Sequence, residues 1–171
     1  MLIGTHVLLP VCIALTAECV SLAKGRGHVF PPWGLVLVGA FGALPDVCTP
    51  HISLADRHAS WSHTVWFLAG MAPFAAMVVT LFEKQGRWWL ALACWLAVLL
   101  HLIGDAVAGG IAPLYPWRTE VVGDYYIAVP DWMWYEIGFV LLTWVLVRFR
   151  PFCEARGIGA GVMPSSPSNQ A

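Results

Sequence analysis

His101 and Asp105 are four residues apart within an apolar run that covers residues 88–108. On a helix that spacing puts both side chains on one face, one turn apart. The run is long enough to cross a bilayer, for which about 20 apolar residues suffice. An Asp in such a segment is costly, roughly 2.5–3.5 kcal/mol at mid-membrane on insertion scales, and usually marks a function. An imidazole and a carboxylate one turn apart offer two ligand atoms to one divalent metal ion, or to a close pair of ions. The chemistry this suggests is metal-assisted hydrolysis. The bland counterpart is a structural His–Asp hydrogen bond.

Other ligand-type residues fall at the ends of the other apolar runs. His6 begins the first, Asp46 ends the second, and His58 and His63 precede or open the third. Taken singly, His6 reads as an interfacial histidine, Asp46 as a turn or cap residue, and His58 and His63 as loop and cap residues. Taken together, His6, Asp46, His63, His101 and Asp105 form a candidate metal-ligand set, rich enough for one ion or for two ions sharing carboxylates. Asp46, His58 and Glu136 are the candidate catalytic acids and bases. Arg57 and Arg118 are the candidate partners of a substrate phosphate, since a guanidinium matches its geometry. Tyr115, Trp117, Trp132 and Trp134 read as interfacial anchors that could equally line a headgroup pocket. Glu18, near the far end of the first run, is expected to reach the interface. His51 and Asp56 read as solvated loop residues. The five cysteines form no C-x-x-C pair, and those in apolar runs read as small core residues.

The elements that must position these groups are apolar blocks. The chain is 59% hydrophobic and 11% charged, against about 25% charged for soluble domains. Its near-zero net charge speaks against a nucleic-acid partner. The blocks predict an all-α polytopic membrane protein with about five transmembrane helices: residues 5–23, a short, Gly-rich and tilted or re-entrant 34–44 closed by Pro45-Asp46, then 63–82, 88–108 and 131–147. The first is read as a retained helix rather than a cleaved signal peptide. Residues 1–156 form one helical domain, and the Gly/Pro/Ser-rich 157–171 a disordered cytoplasmic tail. Several of the ten tryptophans (Trp33, Trp61, Trp88, Trp89, Trp117, Trp132) sit at run ends, where interfacial aromatics belong. With five spans, Lys24, Arg26, Lys84, Arg87, Arg148, Arg150 and Arg156 share one side, leaving only Arg57 and Arg118 on the other. The positive-inside rule then places the N-terminus outside and the C-terminus in the cytoplasm. All the candidate ligands fall toward the outer side. At 1.5 Å per residue, His101 lies about 20 Å and Asp105 about 25 Å along from Trp88.

The ordered set is a His near the N-terminus, A-L-P-D ending at Asp46, H-x-x-x-S-H-T from His58 to Thr64, H-L-I-G-D from His101 to Asp105, and L-Y-P-W from Leu114 to Trp117. It resembles the YdjM-like family of bacterial inner-membrane proteins, described as membrane-bound metal-dependent hydrolases, whose pattern runs roughly L-L-P-D-x-D, H-R-G-x-T-H-S, H-x-x-x-D and Y-P-F or W-P. The resemblance implies a polytopic helical fold and a hydrolase-like metal site built from Asp46, His58, His63, His101 and Asp105, with His6. The sequence departs from the pattern at the second acid of P-D-x-D, which is Cys48; at the Arg and Gly of H-R-G, which are Ala59 and Ser60; and at the Thr that usually follows H-x-x-x-D, which is Ala108. A Cys48 thiolate would shift preference from magnesium or manganese toward zinc.

The expectation is therefore a membrane metalloenzyme with one or two divalent ions, zinc favoured over magnesium or manganese. It would hydrolyse an ester bond at the outer leaflet of the inner membrane, in a phospholipid or another lipid-linked phosphoester. The alternatives are an ion- or proton-handling transport or sensing protein, and an inactive structural relative. Clustering of the polar residues at one face, with no internal repeat, favours a site over a pathway.

Overall fold

The computed structural model describes residues 3–50, 54–82 and 88–161. His51, Lys84, Arg87 and residues 162–171 of the expected tail lie outside the described residues. Five α-helices follow one another: α1 (Ile3–Ala23), α2 (Gly34–Cys48), α3 (Val65–Phe82), α4 (Trp88–Val107) and α5 (Trp132–Gly161), with 3₁₀ turns at Leu54–Ala59, Trp61–His63 and Val129–Asp131. Isolated bridges Ala108–Tyr125 and Ile111–Val122 pin the loop before α5. Three helices, α1, α3 and α4, are long and apolar enough to cross a membrane, and α2 is apolar but shorter. Val36, Leu81, Trp88 and Phe152 are among many large apolar side chains left exposed. That pattern suits a lipid surround, where apolar exposure carries no hydration penalty.

α5 packs on α1, α1 on α2 and α4, α2 on α4, and α3 on α4. The core between α2 and α4 holds Val38, Phe41, Leu90, Cys94, Ala97 and Val98. Small residues bring α1 and α2 close. Pro10, inside α1, has no N–H for the carbonyl of His6, and Gly42 of α2 packs directly on that carbonyl: a Cβ at Gly42 would fall 2.2 Å from it. Thr64 caps α3, its hydroxyl accepting the N–H of Phe67 at 3.2 Å. The indole of Trp95 donates to the Leu68 carbonyl at 2.9 Å and ties α4 to α3.

Four elements differ from the sequence reading. Pro45-Asp46 does not end α2, which runs on to Cys48 with Pro45 in its last turn. α5 does not close at Arg148, Arg150 and Pro151 but continues to Gly161, because its second half docks on α1. There Cys153 packs with Cys19 and Leu22, and Gly157 lies so close to the Leu22 carbonyl that a Cβ would come within 2.0 Å of it. Glu18 does not reach an interface; it is fully buried. Its carboxylate accepts the N–H groups of Val29 at 2.7 Å and Phe30 at 3.1 Å, and binds Arg150 at 3.1 Å and His28 at 2.7 Å. That set of partners satisfies a buried carboxylate without water. Trp132 is buried rather than anchored at a surface, its indole donating to the Ile127 carbonyl at 3.2 Å.

Candidate metal centre

At the end of the bundle opposite Glu18, α1 begins, α2 and α4 finish, and the 3₁₀ turn Trp61–His63 leads into α3. Asp46, His63, His101 and Asp105 meet there, each offering one ligand atom, all within 4.8 Å of one another. His63 Nε2 and His101 Nε2 are 3.3 Å apart. Asp105 Oδ2 lies 3.1 Å from the first and 3.2 Å from the second, and Asp46 Oδ1 lies 3.4 and 3.5 Å from the same two atoms. A tetrahedron of ligands around one ion with bonds of about 2.0–2.2 Å has edges of about 3.3–3.6 Å. Five of the six edges, those that involve a histidine nitrogen, are 3.1–3.5 Å, close to that figure.

The imidazoles are oriented from behind. His101 Nδ1–H donates to the Gly42 carbonyl at 2.7 Å, and a carbonyl can only accept. In the neutral ring its Nε2 then presents a lone pair to the cluster. His63 Nδ1 lies 3.1 Å from both the Ser62 and the Ser60 hydroxyl. Ser62 gives its own hydrogen to the Pro45 carbonyl at 2.8 Å and so accepts from His63. Imidazoles that donate their second N–H to a carbonyl or hydroxyl are the usual form of a metal-binding histidine. With both rings neutral, two lone pairs and two carboxylate oxygens converging at 3.1–3.5 Å repel one another unless a cation or protons sit among them, and the donor set of two nitrogens and two oxygens fits a divalent ion.

Asp105 is 2% exposed and Asp46 is 20% exposed. The second oxygen of Asp105 is held by Arg57 Nη1 and by His6 Nε2, the latter at 3.2 Å. The His6 ring stacks on His101 with centroids 3.9 Å apart. His6 thus sits behind Asp105 rather than among the four converging atoms, and Arg57, buried at 2% exposure, faces the same carboxylate rather than an open surface. His58 is near but separate, its Nε2 3.2 Å from the Gly109 carbonyl. Glu136 packs against Gly4 in the first turn of α1, outside the four-atom cluster. Arg118 is exposed in the loop between α4 and α5, and Cys48 is exposed at the end of α2. The sequence reading missed Ser60, Ser62 and the Gly42 carbonyl. The serines carried a signal in S-x-S-H, hydroxyls next to a candidate ligand; a backbone carbonyl carries none.

A family model described as YdjM inner membrane protein matches residues 1–164. The chain belongs to the YdjM inner membrane protein family. No curated protein and no solved structure matches it. The family and the apolar helices together make it an inner-membrane protein with a cluster of two histidines and two aspartates able to hold a metal ion.

Proposed function

We propose that this family member is a metal-dependent hydrolase that cleaves an ester bond at the outer leaflet, with a phospholipid or another lipid-linked phosphoester as substrate. The observation that carries the reading is the convergence of four ligand atoms within 4.8 Å of one another, the two histidine nitrogens lying 3.1–3.5 Å from each other and from both carboxylate oxygens. Asp46, His63, His101 and Asp105 would hold the ion. A nitrogen–oxygen donor set with four-coordinate spacing favours zinc over magnesium, which demands an octahedron of oxygens. When bound, such an ion polarises a phosphoryl oxygen and lowers the pKa of water to about 7.

The residues around it divide the remaining work. Arg57 and His6 fix Asp105, so that carboxylate serves as a rigid ligand. Asp46 is the more exposed carboxylate and has the longer edges; it is the one placed to yield a position to water and to take a proton from it. With neutral imidazoles and a divalent ion, the two carboxylates and Arg57 leave one net positive charge in a buried site, which favours an anionic substrate. Arg118, exposed beside Trp117, is the cation placed to meet a phosphate from the loop. Lys24 and Arg26 follow α1, and Arg148, Arg150 and Arg156 lie in the second half of α5, at the end of the bundle away from the site. By the positive-inside rule this supports a site on the outer side.

The test is reconstitution. The purified protein is stripped with a chelator, reloaded separately with Zn²⁺, Co²⁺, Mn²⁺ or Mg²⁺, and assayed against a phospholipid panel in mixed micelles. Turnover restored by Zn²⁺ or Co²⁺ and absent in His63→Ala supports the reading. Full turnover in the stripped protein, or none with any lipid and any metal, rejects it.

A further inference from the structure

Beside the metal cluster an open groove of about 350 Å³ runs between the first two turns of α3 and the loop after α4. Its walls include Trp61, Thr64, Trp66, Gly70, Tyr115 and Trp117. Trp66 and Trp117 meet edge to face across it at 5.2 Å, and the Val65 N–H bonded to the Pro113 carbonyl at 2.9 Å joins its two sides. Resting on the hydrolase reading, we infer that this groove seats the upper part of one acyl chain of the lipid whose ester bond is cleaved.

Closeness to the cluster together with an aromatic rim argues for this occupant; an apolar groove of about 420 Å³ between α1, α2 and α4 also comes within one residue of His101, at Leu100, but has no Tyr or Trp at that end. Thr64 is the residue next to the ligand His63, and Trp61 is two before it, so the groove begins within about 7 Å of chain from a ligand. From there it descends α3 to Met71, about 10 Å at 1.5 Å per residue. The lining changes along that path from Tyr and Trp, side chains of the membrane boundary, to Gly70, Phe67 and Met71 within an apolar helix. A lipid changes in the same order, from its polar ester region to its chain. A second groove between α3 and α4, about 500 Å³ and lined by Ala76, Trp88 and Trp89, is apolar too. It lies at the other end of α4, about 20 Å from His101 along the helix, and has no chemistry beside it.

Gly70 supplies the test, because a Cβ there meets nothing within 4 Å and so has room to carry a larger side chain into the groove. The probe is a phosphatidylglycerol with a diazirine on its acyl chain, in phosphatidylcholine nanodiscs, with cross-links mapped by mass spectrometry. Cross-links should concentrate on residues 61–71 and 115–117. Gly70→Phe should cut them about tenfold, while Ala76→Phe in the far groove leaves them unchanged. Trp117→Ala, which opens the wall on an exposed loop residue, should lower them as well and covers the case in which Gly70→Phe does not fold. Labelling spread evenly over α3 and α5, or unchanged in Gly70→Phe and Trp117→Ala, overturns the inference. Metal content and phospholipid turnover are read on the same samples. Localised labelling without metal or turnover would sink the hydrolase reading and leave the lipid seat standing.

Discussion

Gly42→Ala adds one methyl group at a residue whose side chain is no ligand, yet it should loosen the metal site. The new Cβ would stand 2.2 Å from the His6 carbonyl and 3.1 Å from Pro10 Cγ. Contacts below 3.0 Å are not tolerated, so α2 must retreat from α1 by roughly 1 Å, an overpacking that costs about 1–3 kcal/mol of stability. The retreat moves the carbonyl that holds His101 Nδ1, and it moves Asp46 one turn further along α2. Ligand distances must hold to within about 0.2 Å, so a shift several times larger should weaken zinc affinity at least about tenfold, the range seen when groups behind a ligand are lost. The assay is competition with a chromogenic chelator in detergent, run with thermal unfolding. Gly70→Ala is the control: with open space around its Cβ, it should stabilise by about 0.8–1 kcal/mol from helix propensity and leave affinity unchanged. A Gly42→Ala protein that is destabilised yet binds zinc within about twofold of the parent would show that the α1–α2 spacing does not set the ligand geometry.

His63→Ala and Asp105→Ala should each lose bound metal, read by mass spectrometry of the purified protein, while still fractionating with membranes; retained metal in both would return the cluster to a structural hydrogen-bonded set. Cys48 is the one exposed thiol among the cysteines, so in intact spheroplasts an impermeant maleimide should label the chain once, at Cys48; labelling only after the membrane is broken would put the site on the cytoplasmic side. Gly157→Ala forces a Cβ to within 2.0 Å of the Leu22 carbonyl and should cost about 1–3 kcal/mol in unfolding assays, with metal affinity unchanged because it acts at the far end of α1 and α5; a parallel loss of metal would mean that the two ends of the bundle are coupled.

The helical fold was legible because its apolar blocks are long, and the gathering of His63, His101, Asp105 and Asp46 was legible because ionisable groups in such blocks are too costly to leave scattered. The extent of α5 was not. Arg148, Arg150 and Pro151 look like a helix stop, and it takes the approach of Glu18, 132 residues away in sequence, and of His28 to give Arg150 partners inside the bundle. The same pairing hid the burial of Glu18, which also needs the N–H groups of Val29 and Phe30. Arg57 looked like a free cation in a polar loop. The 3₁₀ turn Leu54–Ala59 folds it back onto Asp105, and no periodicity in the sequence announces a turn of that kind.

The shortness of α2, which from the sequence suggested a tilted or re-entrant segment, has a use in the site. At 15 residues it spans about 22 Å, less than the hydrocarbon thickness of about 30 Å. Asp46 stands about 18 Å from the start of α2, and His101 about 20 Å from the start of α4. A carboxylate at the end of a full-length helix would clear the level of His101 by about two turns and meet water instead of imidazoles. Ending α2 early, with Pro45 in its last turn and its carbonyl taken by Ser62, sets Asp46 at the depth where α4 already carries its ligands. The polar 3₁₀ turns that follow α2 then fill the space above, and deliver His63 and Arg57 from that side. Irregular backbone at membrane depth is tolerated only where protein surrounds it and its polar groups find partners. Here the N–H groups of Ser60, His63 and Val65 reach the carbonyls of Arg57, Ser60 and Pro113, the Thr64 hydroxyl takes the Trp61 carbonyl, and the Ser62 hydroxyl takes the Pro45 carbonyl at the end of α2; the last of these also sets Ser62 against the ligand His63.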